Sequence, residues 1–338
     1  MELTLYLSRK SPSGALLEKH RVIPLEVSGF SRGPQLRNLR ALAGLLRAFR
    51  VCRREMKDDP PRVAVGFGGY ASVPGAAAAL SRRIPLVIHE QNVVPGMANR
   101  LLAAGARVVA VSFARTLELR PRWRKKAVVT GNPLLQRDVE GDRGDAVDYF
   151  DVEKERKTLA VVGGSQGAAS LNRAVLEALP LWRNRSDLQI IHSVGKDKYQ
   201  EFTAQAAKVD TGTLLYRPLQ FVERMDLLYE VADLAVCRAG ASTVTELAVA
   251  GCAAVLVPYP YATAAHQDAN AEVLAEAGAA VVIKDAELDG RRLAREVDGL
   301  IADESGLERM RGAARSVGRA DAAASLAELV LSQAGEEQ

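Results

Sequence analysis

Short apolar runs, each bounded by glycine, proline or polar residues, alternate along this chain with longer stretches whose apolar positions repeat at helical spacing. The pattern predicts strand followed by helix many times over, as in parallel sheets with helices on their faces. Residues 1–8 alternate apolar and polar as an opening strand, and 22–27 form a second extended piece. A turn over 29–34 leads into a helix over 36–56. Its apolar set is Leu36, Leu39, Leu42, Ala43, Leu46 and Phe49; its basic set is Arg37, Arg40, Arg47, Arg50, Arg53 and Arg54. Such a basic amphipathic helix either lies in a membrane interface or packs on a sheet with its arginines in water. Next come a buried strand at 63–65, a glycine-rich turn over 66–75, a helix over 76–82 and a strand over 85–88. That strand runs into His89, Glu90, Gln91 and Asn92. A helix over 96–103 and strands over 108–111 and 127–130 complete a first domain, 1–133.

Residues 134–157 are charged and turn-rich and read as a linker. The second domain, 158–338, opens with a strand over 158–162, the turn Gly163-Gly164-Ser165-Gln166-Gly167-Ala168 and a helix over 170–179. Strands over 189–193 and 213–216 follow, and a loop at Phe221-Val222 leads into a helix ending at 232. An apolar strand over 234–237 meets the small-residue turn 238–243 and then a helix over 244–250, with Glu246 in its first turn. A strand over 253–257 is stopped by Pro258 and Pro260, and a polar loop bears His266, Gln267, Asp268 and Asn270. A strand over 280–283 and helices over 290–302 and 322–332 close the chain. The expected architecture is α/β, two doubly wound Rossmann-like domains facing a cleft.

The chemistry gathers at strand C-terminal ends. A helix entered through glycine and small hydroxyl residues points free backbone N–H groups at an anion. The turns at 163–168 and 238–243 therefore read as a phosphate pocket, and the loop carrying His266, Gln267 and Asn270 as a specificity element. The plainer alternative is an α/β repeat with solvated loops. Against it, these polar residues fall on loops and helix starts and none on the strands. In the first domain, His89, Glu90 and Asn92 are site candidates, unless Glu90 caps the next helix and His89 is a satisfied core histidine.

Hydrophobic residues make up 48% and charged residues 25%, a globular profile. No apolar run approaches the roughly 20 residues that span a bilayer, and the first residues do not read as a signal peptide. Cys52, Cys237 and Cys252 have neither metal-ligand nor disulfide spacing; they read as small buried hydrophobes in a reducing, cytoplasmic compartment. The net charge of +4 hides an asymmetry. Residues 1–133 hold 23 Lys+Arg against 8 Asp+Glu, a net of +15, and the remainder holds 22 against 33, a net of −11. With no nucleic-acid motif or stacking aromatics in the basic half, nucleic acid is not the expected partner. An anionic membrane surface or a phosphorylated lipid fits better, and a solvated basic face stays open.

The segments GFGGYASVP, VIHEQNVVPGMANRLLA, GNP, GGSQGAASLN and CRAGASTVTELAVAGCAAVLVPYPY followed by HQDANA resemble, in order, the motifs of the MurG family. The resemblance runs from about Gly29 to the C-terminus. It implies a GT-B fold without a metal or other cofactor. It also implies transfer of GlcNAc from UDP-GlcNAc to lipid I, giving lipid II in peptidoglycan synthesis. The expected location is the cytoplasmic face of the inner membrane. By the same resemblance, Ser165, Gln166 and the segment Ala241, Ser242, Thr243, Val244, Thr245 and Glu246 hold the UDP, with Glu246 on the ribose hydroxyls. Val222 offers its backbone to uracil, and Gln267, with His266 and Asn270 near it, meets the GlcNAc ring. Tyr70, His89, Glu90 and Asn92 stand on the acceptor side, with Glu90 and His89 as the catalytic candidates. Bottom-up chemistry agrees: no Asp-x-Asp pair is present to hold a metal, so the leaving diphosphate must be met by helix N-termini and hydroxyls.

Two departures qualify the match. The family's opening GGTGGH turn, whose His is its proposed base, has no counterpart here. A strand–loop–helix unit on the order of 30 residues is then absent, either because the start is set late or because the copy is damaged. Loss of the central first strand should leave a gap flanked by unpaired backbone. Leu135 also stands where the family carries Arg after Gly-Asn-Pro, with Arg137 a nearby substitute. The competing readings are another lipid-acceptor UDP-sugar transferase, such as a glycolipid synthase, and a non-catalytic UDP-sugar-binding remnant.

Overall fold

The computed structural model describes residues 2–8, 19–28, 36–134, 143–164 and 166–335, with the side chains at 36 and 37 left out. Ser165, Leu135 and Arg137 lie outside the described residues. The chain divides into two compact units: 1–133 together with 321–338, and 134–320. This differs from the expected division at two points. The last helix groups with the first unit, and part of the expected linker forms a helix of the second, Arg143–Phe150, which buries Ala146, Val147 and Phe150.

The second unit has one parallel sheet of six strands. They are β7 (Lys157–Val162), β8 (Leu188–Ser193), β9 (Leu215–Leu219), β10 (Leu234–Cys237), β11 (Ala254–Leu256) and β12 (Ala280–Val282), in the spatial order 12-11-10-7-8-9. Renumbered from β7, this is the doubly wound order 3-2-1-4-5-6, whose direction reverses between β7 and β10. Those two strands pair in register from Leu234 opposite Leu159 to Cys237 opposite Val162. Both are buried throughout apart from the half-buried first residue of β7, as strands with a helix layer on each face must be. The core beneath includes Leu159, Val161, Leu171, Ile190, Val236 and Val255. Trp182 is fully buried there and donates its indole N–H to Asp298 at 3.0 Å.

The first unit holds two parallel sheets. β3 (Ala64–Gly66), β4 (Leu86–Glu90), β5 (Val108–Val111) and β6 (Ala127–Val129) lie side by side in chain order, while β1 (Thr4–Ser8) pairs only with β2 (Arg21–Leu25) among the described residues. β1 and β3 are thus both sheet edges, where the doubly wound pattern places a central strand. Tyr6 and Ile23 of the small sheet and Ala64 of β3 nevertheless share one core with Cys52, Met56, Ala78 and Ala79.

Helix α1 (Leu36–Asp58) does not pack through Leu39, Leu42 and Leu46, one of the two arrangements the sequence leaves open. It turns Ala41, Ala48, Cys52 and Met56 inward, small or flexible residues that allow close approach. Leu39, Leu42 and Leu46 are 64%, 49% and 51% exposed, and Arg40, Arg47 and Arg50 share that outer side. The glycine-rich segment is also shorter as a turn than expected. Helix α2 (Gly69–Ser81) begins right after Gly68, whose φ of 80° suits glycine, and it carries Pro74 inside it at the loss of one backbone bond. No described helix is long and apolar enough to cross a membrane. All three cysteines are free and buried, as read from their spacing.

Candidate active site

In the first unit the polar run after β4 folds around one carboxylate. His89 and Glu90 are the last two residues of the strand itself, not loop residues, and both are buried. Glu90 Oε1 accepts from the backbone N–H of Asn92 at 3.0 Å, and Oε2 accepts from the N–H of Gly96 at 3.0 Å and from Asn99 Nδ2 at 2.8 Å. Asn99, which the sequence did not single out, also donates to the His89 carbonyl at 3.0 Å. It sits in helix α3 (Met97–Leu102), so Glu90 and Asn99 together pin the loop 91–96 to that helix. Asn92 faces this knot, whereas Tyr70 lies in the first turn of α2 and is 42% exposed.

His89 Nε2 is 3.0 Å from the Gly131 carbonyl. A carbonyl can only accept, so Nε2 carries the proton and Nδ1 bears a lone pair. That Nδ1 is buried without a partner, with the Phe67 ring 5.7 Å from the imidazole. Burial lowers the His89 pKa, with the Gly131 bond opposing, so the ring stays neutral near pH 7.

In the second unit the two predicted turns meet because their strands are neighbours. Helix α6 (Ala169–Ala178) follows β7 and helix α9 (Ala241–Ala250) follows β10, and neither has a side-chain cap. The first backbone bonds of these helices are Asn172 N–H to Ala168 O and Val244 N–H to Gly240 O, both 2.9 Å. The N–H groups of Ser242 and Thr243, ahead of the second of these bonds, have no partner within their own helix. Helix α9 starts three residues earlier than the sequence indicated, so Ala241, Ser242 and Thr243 are its first turn. Ser242 is exposed and Val244 buried, and the Thr245 hydroxyl donates back to the Ala241 carbonyl at 2.8 Å. The glycine turn touches its neighbour backbone to backbone: a β-carbon on Gly167, at φ 70°, would overlap the Val194 carbonyl. Gln166 is exposed there, its carbonyl accepting from Lys198 Nζ at 3.0 Å.

Glu246 projects from the second turn of α9. Burial raises its pKa, and a hydrogen bond from the buried Tyr229 hydroxyl at 3.2 Å opposes that rise. Burial also drives the Tyr229 pKa far up, which keeps that hydroxyl a donor. Val222, 4% exposed, lines a cavity of about 730 Å³ together with Tyr149, Lys196 and Phe221. Lys196 Nζ lies 4.9 Å from the centre of the Phe221 ring. The expected polar loop at 266–270 is instead the start of helix α10 (His266–Glu276). There Gln267 Oε1 accepts from the Tyr259 N–H at 2.9 Å, half-buried His266 bonds the Thr263 carbonyl through Nδ1 at 2.7 Å, and buried Asn270 donates to the Ala239 carbonyl at 3.3 Å. Asn270 thus braces the turn before α9. Two consecutive alanines, Ala264 (φ 55°) and Ala265 (φ 52°), enter this helix in left-handed conformations, a local strain beside the candidate site. Tyr229 and the pair Lys196–Phe221 carried no sequence signal beyond their residue types.

Comparison with known proteins matches these halves to the Glycosyltransferase family 28 N-terminal domain over residues 15–111 and the Glycosyltransferase family 28 C-terminal domain over 158–335. A UDP-N-acetylglucosamine--N-acetylmuramyl-(pentapeptide) pyrophosphoryl-undecaprenol N-acetylglucosamine transferase of Halothermothrix orenii is 37% identical over 299 residues, 87% of this chain and 81% of the relative. The protein of the same name from Listeria monocytogenes is 35% identical over 332 residues, 97% and 90% of the two chains. The crystal structure of Acinetobacter baumannii MurG superposes with a TM-score of 0.72 at 32% identity, covering 94% of this chain and 86% of the other. With its two Rossmann-like domains of the GT-B class, the chain is a hexosyltransferase and belongs to the MurG family.

Proposed function

We propose that this chain moves GlcNAc from UDP-GlcNAc to the muramyl 4-hydroxyl of lipid I, giving lipid II with inversion at the anomeric carbon. The observation that carries the donor half is the pair of uncapped helices, α6 and α9, rising from adjacent parallel strands at the switch point of a doubly wound sheet. Each N-terminus presents roughly half a positive charge and a set of unpaired N–H groups. Two of them at one place suit a diphosphate and stabilise the negative charge that grows on it as the glycosidic bond breaks. Glu246, aimed by Tyr229, receives the ribose hydroxyls. The cavity at Val222 takes the uracil, and Gln267, with its Oε1 engaged by Tyr259, turns its amide N–H groups to the sugar.

Of the two catalytic candidates, Glu90 has each oxygen committed to loop donors, so its role is to hold the 91–96 loop for the acceptor. His89 keeps an unengaged lone pair on Nδ1, but that atom is buried, so it can take a proton only from a hydroxyl that reaches it. The net +15 of residues 1–133 and the outward leucine stripe of α1 support attachment to the cytoplasmic face of an anionic membrane. The test is transfer of radiolabelled GlcNAc to lipid I, with diacylglycerol as the competing acceptor. Turnover with lipid I supports the reading. Turnover only with diacylglycerol points to a glycolipid synthase, and UDP-GlcNAc binding without transfer to either acceptor points to a remnant.

A further inference from the structure

We propose that Arg238 is a positioning residue for the donor site, a clamp that fixes the spacing of the two helix N-termini and of the loop that carries Gln267. The proposal rests on the donor-site reading above. Arg238 opens the turn after β10, and its guanidinium reaches three other segments. Nη1 donates to Asp285 Oδ1 at 2.6 Å, just beyond β12, and to the carbonyls of Val257 and Pro258 at 3.1 and 3.2 Å, just beyond β11. Nη2 donates to Ser170 Oγ at 2.7 Å, in the first turn of α6. The Ser170 hydroxyl in turn donates to the same Asp285 oxygen at 2.6 Å, closing a ring of three side chains.

The site is largely closed to water: the Arg238 and Asp285 side chains are 12% and 20% exposed, and the Tyr259 ring lies 5.6 Å from the guanidinium carbon. Tyr259 is also the residue whose N–H holds Gln267 Oε1. One planar fork therefore ties the starts of α6 and α9 to the loop after β11. A lysine ammonium carries the same charge but lacks the rigid, planar set of donors needed to span these directions together. Asp285 balances the charge of Arg238, so the group acts through the turns it holds.

The test uses the full chain in four forms: wild type, Arg238→Lys, Asp285→Asn and the double variant. UDP is titrated calorimetrically, and hydrogen exchange is followed at 166–172 and 257–263. The clamp predicts at least a tenfold weaker UDP affinity for Arg238→Lys, a comparable loss for Asp285→Asn, and less than a threefold further loss in the double variant, because a broken clamp cannot be broken twice. Exchange should quicken in both segments in all three variants. In turnover, KM for UDP-GlcNAc should rise while KM for the acceptor stays within twofold. Ser170→Ala, which removes a single partner and little volume, should weaken UDP binding two- to fivefold and guards against misfolding of the charged variants. Arg238→Lys binding UDP as well as wild type, multiplicative losses in the double variant, or unchanged exchange would each overturn the clamp. Absence of UDP binding by the wild-type chain overturns the donor-site reading and the proposal with it. That result is told apart from failure of the clamp alone, in which wild type and Arg238→Lys bind UDP equally well.

Discussion

Replacing Leu39, Leu42 and Leu46 together by serine tests the membrane-facing role of α1 without touching either core. These side chains are 64%, 49% and 51% exposed, so roughly half of each is already in water. Full burial of a leucine is worth about 1.5–3 kcal/mol, and inserting the exposed half of each into an interface gains roughly 1 kcal/mol apiece. The triple change should then remove about 3 kcal/mol, on the order of a hundredfold in partitioning. Neutralising Arg40, Arg47 and Arg50 should remove a similar amount, about 1 kcal/mol per arginine, and this part should vanish at high salt. The assay is co-sedimentation with vesicles containing anionic lipid, with neutral vesicles as reference and thermal melting as a control for folding. Vesicle binding within threefold of wild type in the leucine variant, at unchanged melting temperature, would refute the reasoning.

Other expectations follow from particular contacts. Tyr229→Phe removes the hydrogen bond to Glu246. Bonds to charged groups are worth about 1.5–3 kcal/mol, so UDP affinity near pH 7 should fall roughly tenfold. Because that bond opposes the rise caused by burial, the midpoint of the affinity's loss toward acid should also move to higher pH; calorimetric titrations between pH 5 and 8 check both, and an unmoved midpoint contradicts the role given to Glu246. His192 is fully buried between Tyr216 and Asn172, and burial takes its pKa down to about 3. Because the unfolded ring titrates near 6.5, its contribution is intact above that pH and is lost progressively down to about 3, near 2 kcal/mol by pH 5. Urea unfolding at pH 7 and pH 5 measures the loss, and a His192→Gln variant should flatten it. In the first unit, Asn99→Ala should remove one donor to Glu90 Oε2, loosen the 91–96 loop and raise KM for the lipid acceptor several-fold while leaving UDP affinity unchanged; a matching loss in UDP affinity contradicts the assignment of Glu90 to the acceptor loop.

Much of this was legible in the sequence because buried parallel strands are continuous apolar runs. The segments at 158–162, 189–193 and 234–237 fall within a residue of β7, β8 and β10. The glycine turn at 163–168 likewise marked the start of α6. The misses have physical causes. Helix α1 packs through Ala41, Ala48 and Cys52; small residues carry little weight in a reading that looks for leucines, so the pattern leaves membrane contact and sheet packing both open for the leucine stripe, and only the fold turns it outward. The helices Arg143–Phe150 and Glu304–Val317 hide few apolar positions among many charges; the second shows Leu307, Met310 and Ala314 on one face only once its core is known. Polar residues at helix starts, such as Ser242, Thr243, His266 and Gln267, were read as loop because hydroxyl and amide side chains favour both settings. Tertiary partnerships between distant segments, such as Tyr229 with Glu246 or Asn99 with Glu90, have no local signature at all.

The most direct measurement is a crystal structure of this chain grown with UDP in the absence of divalent cations. The account predicts diphosphate oxygens within hydrogen-bond distance of the N–H groups of Ser242 and Thr243, the ribose on Glu246 and the uracil beside Val222. Nucleotide lodged anywhere else, or occupancy only once magnesium is added, would contradict it.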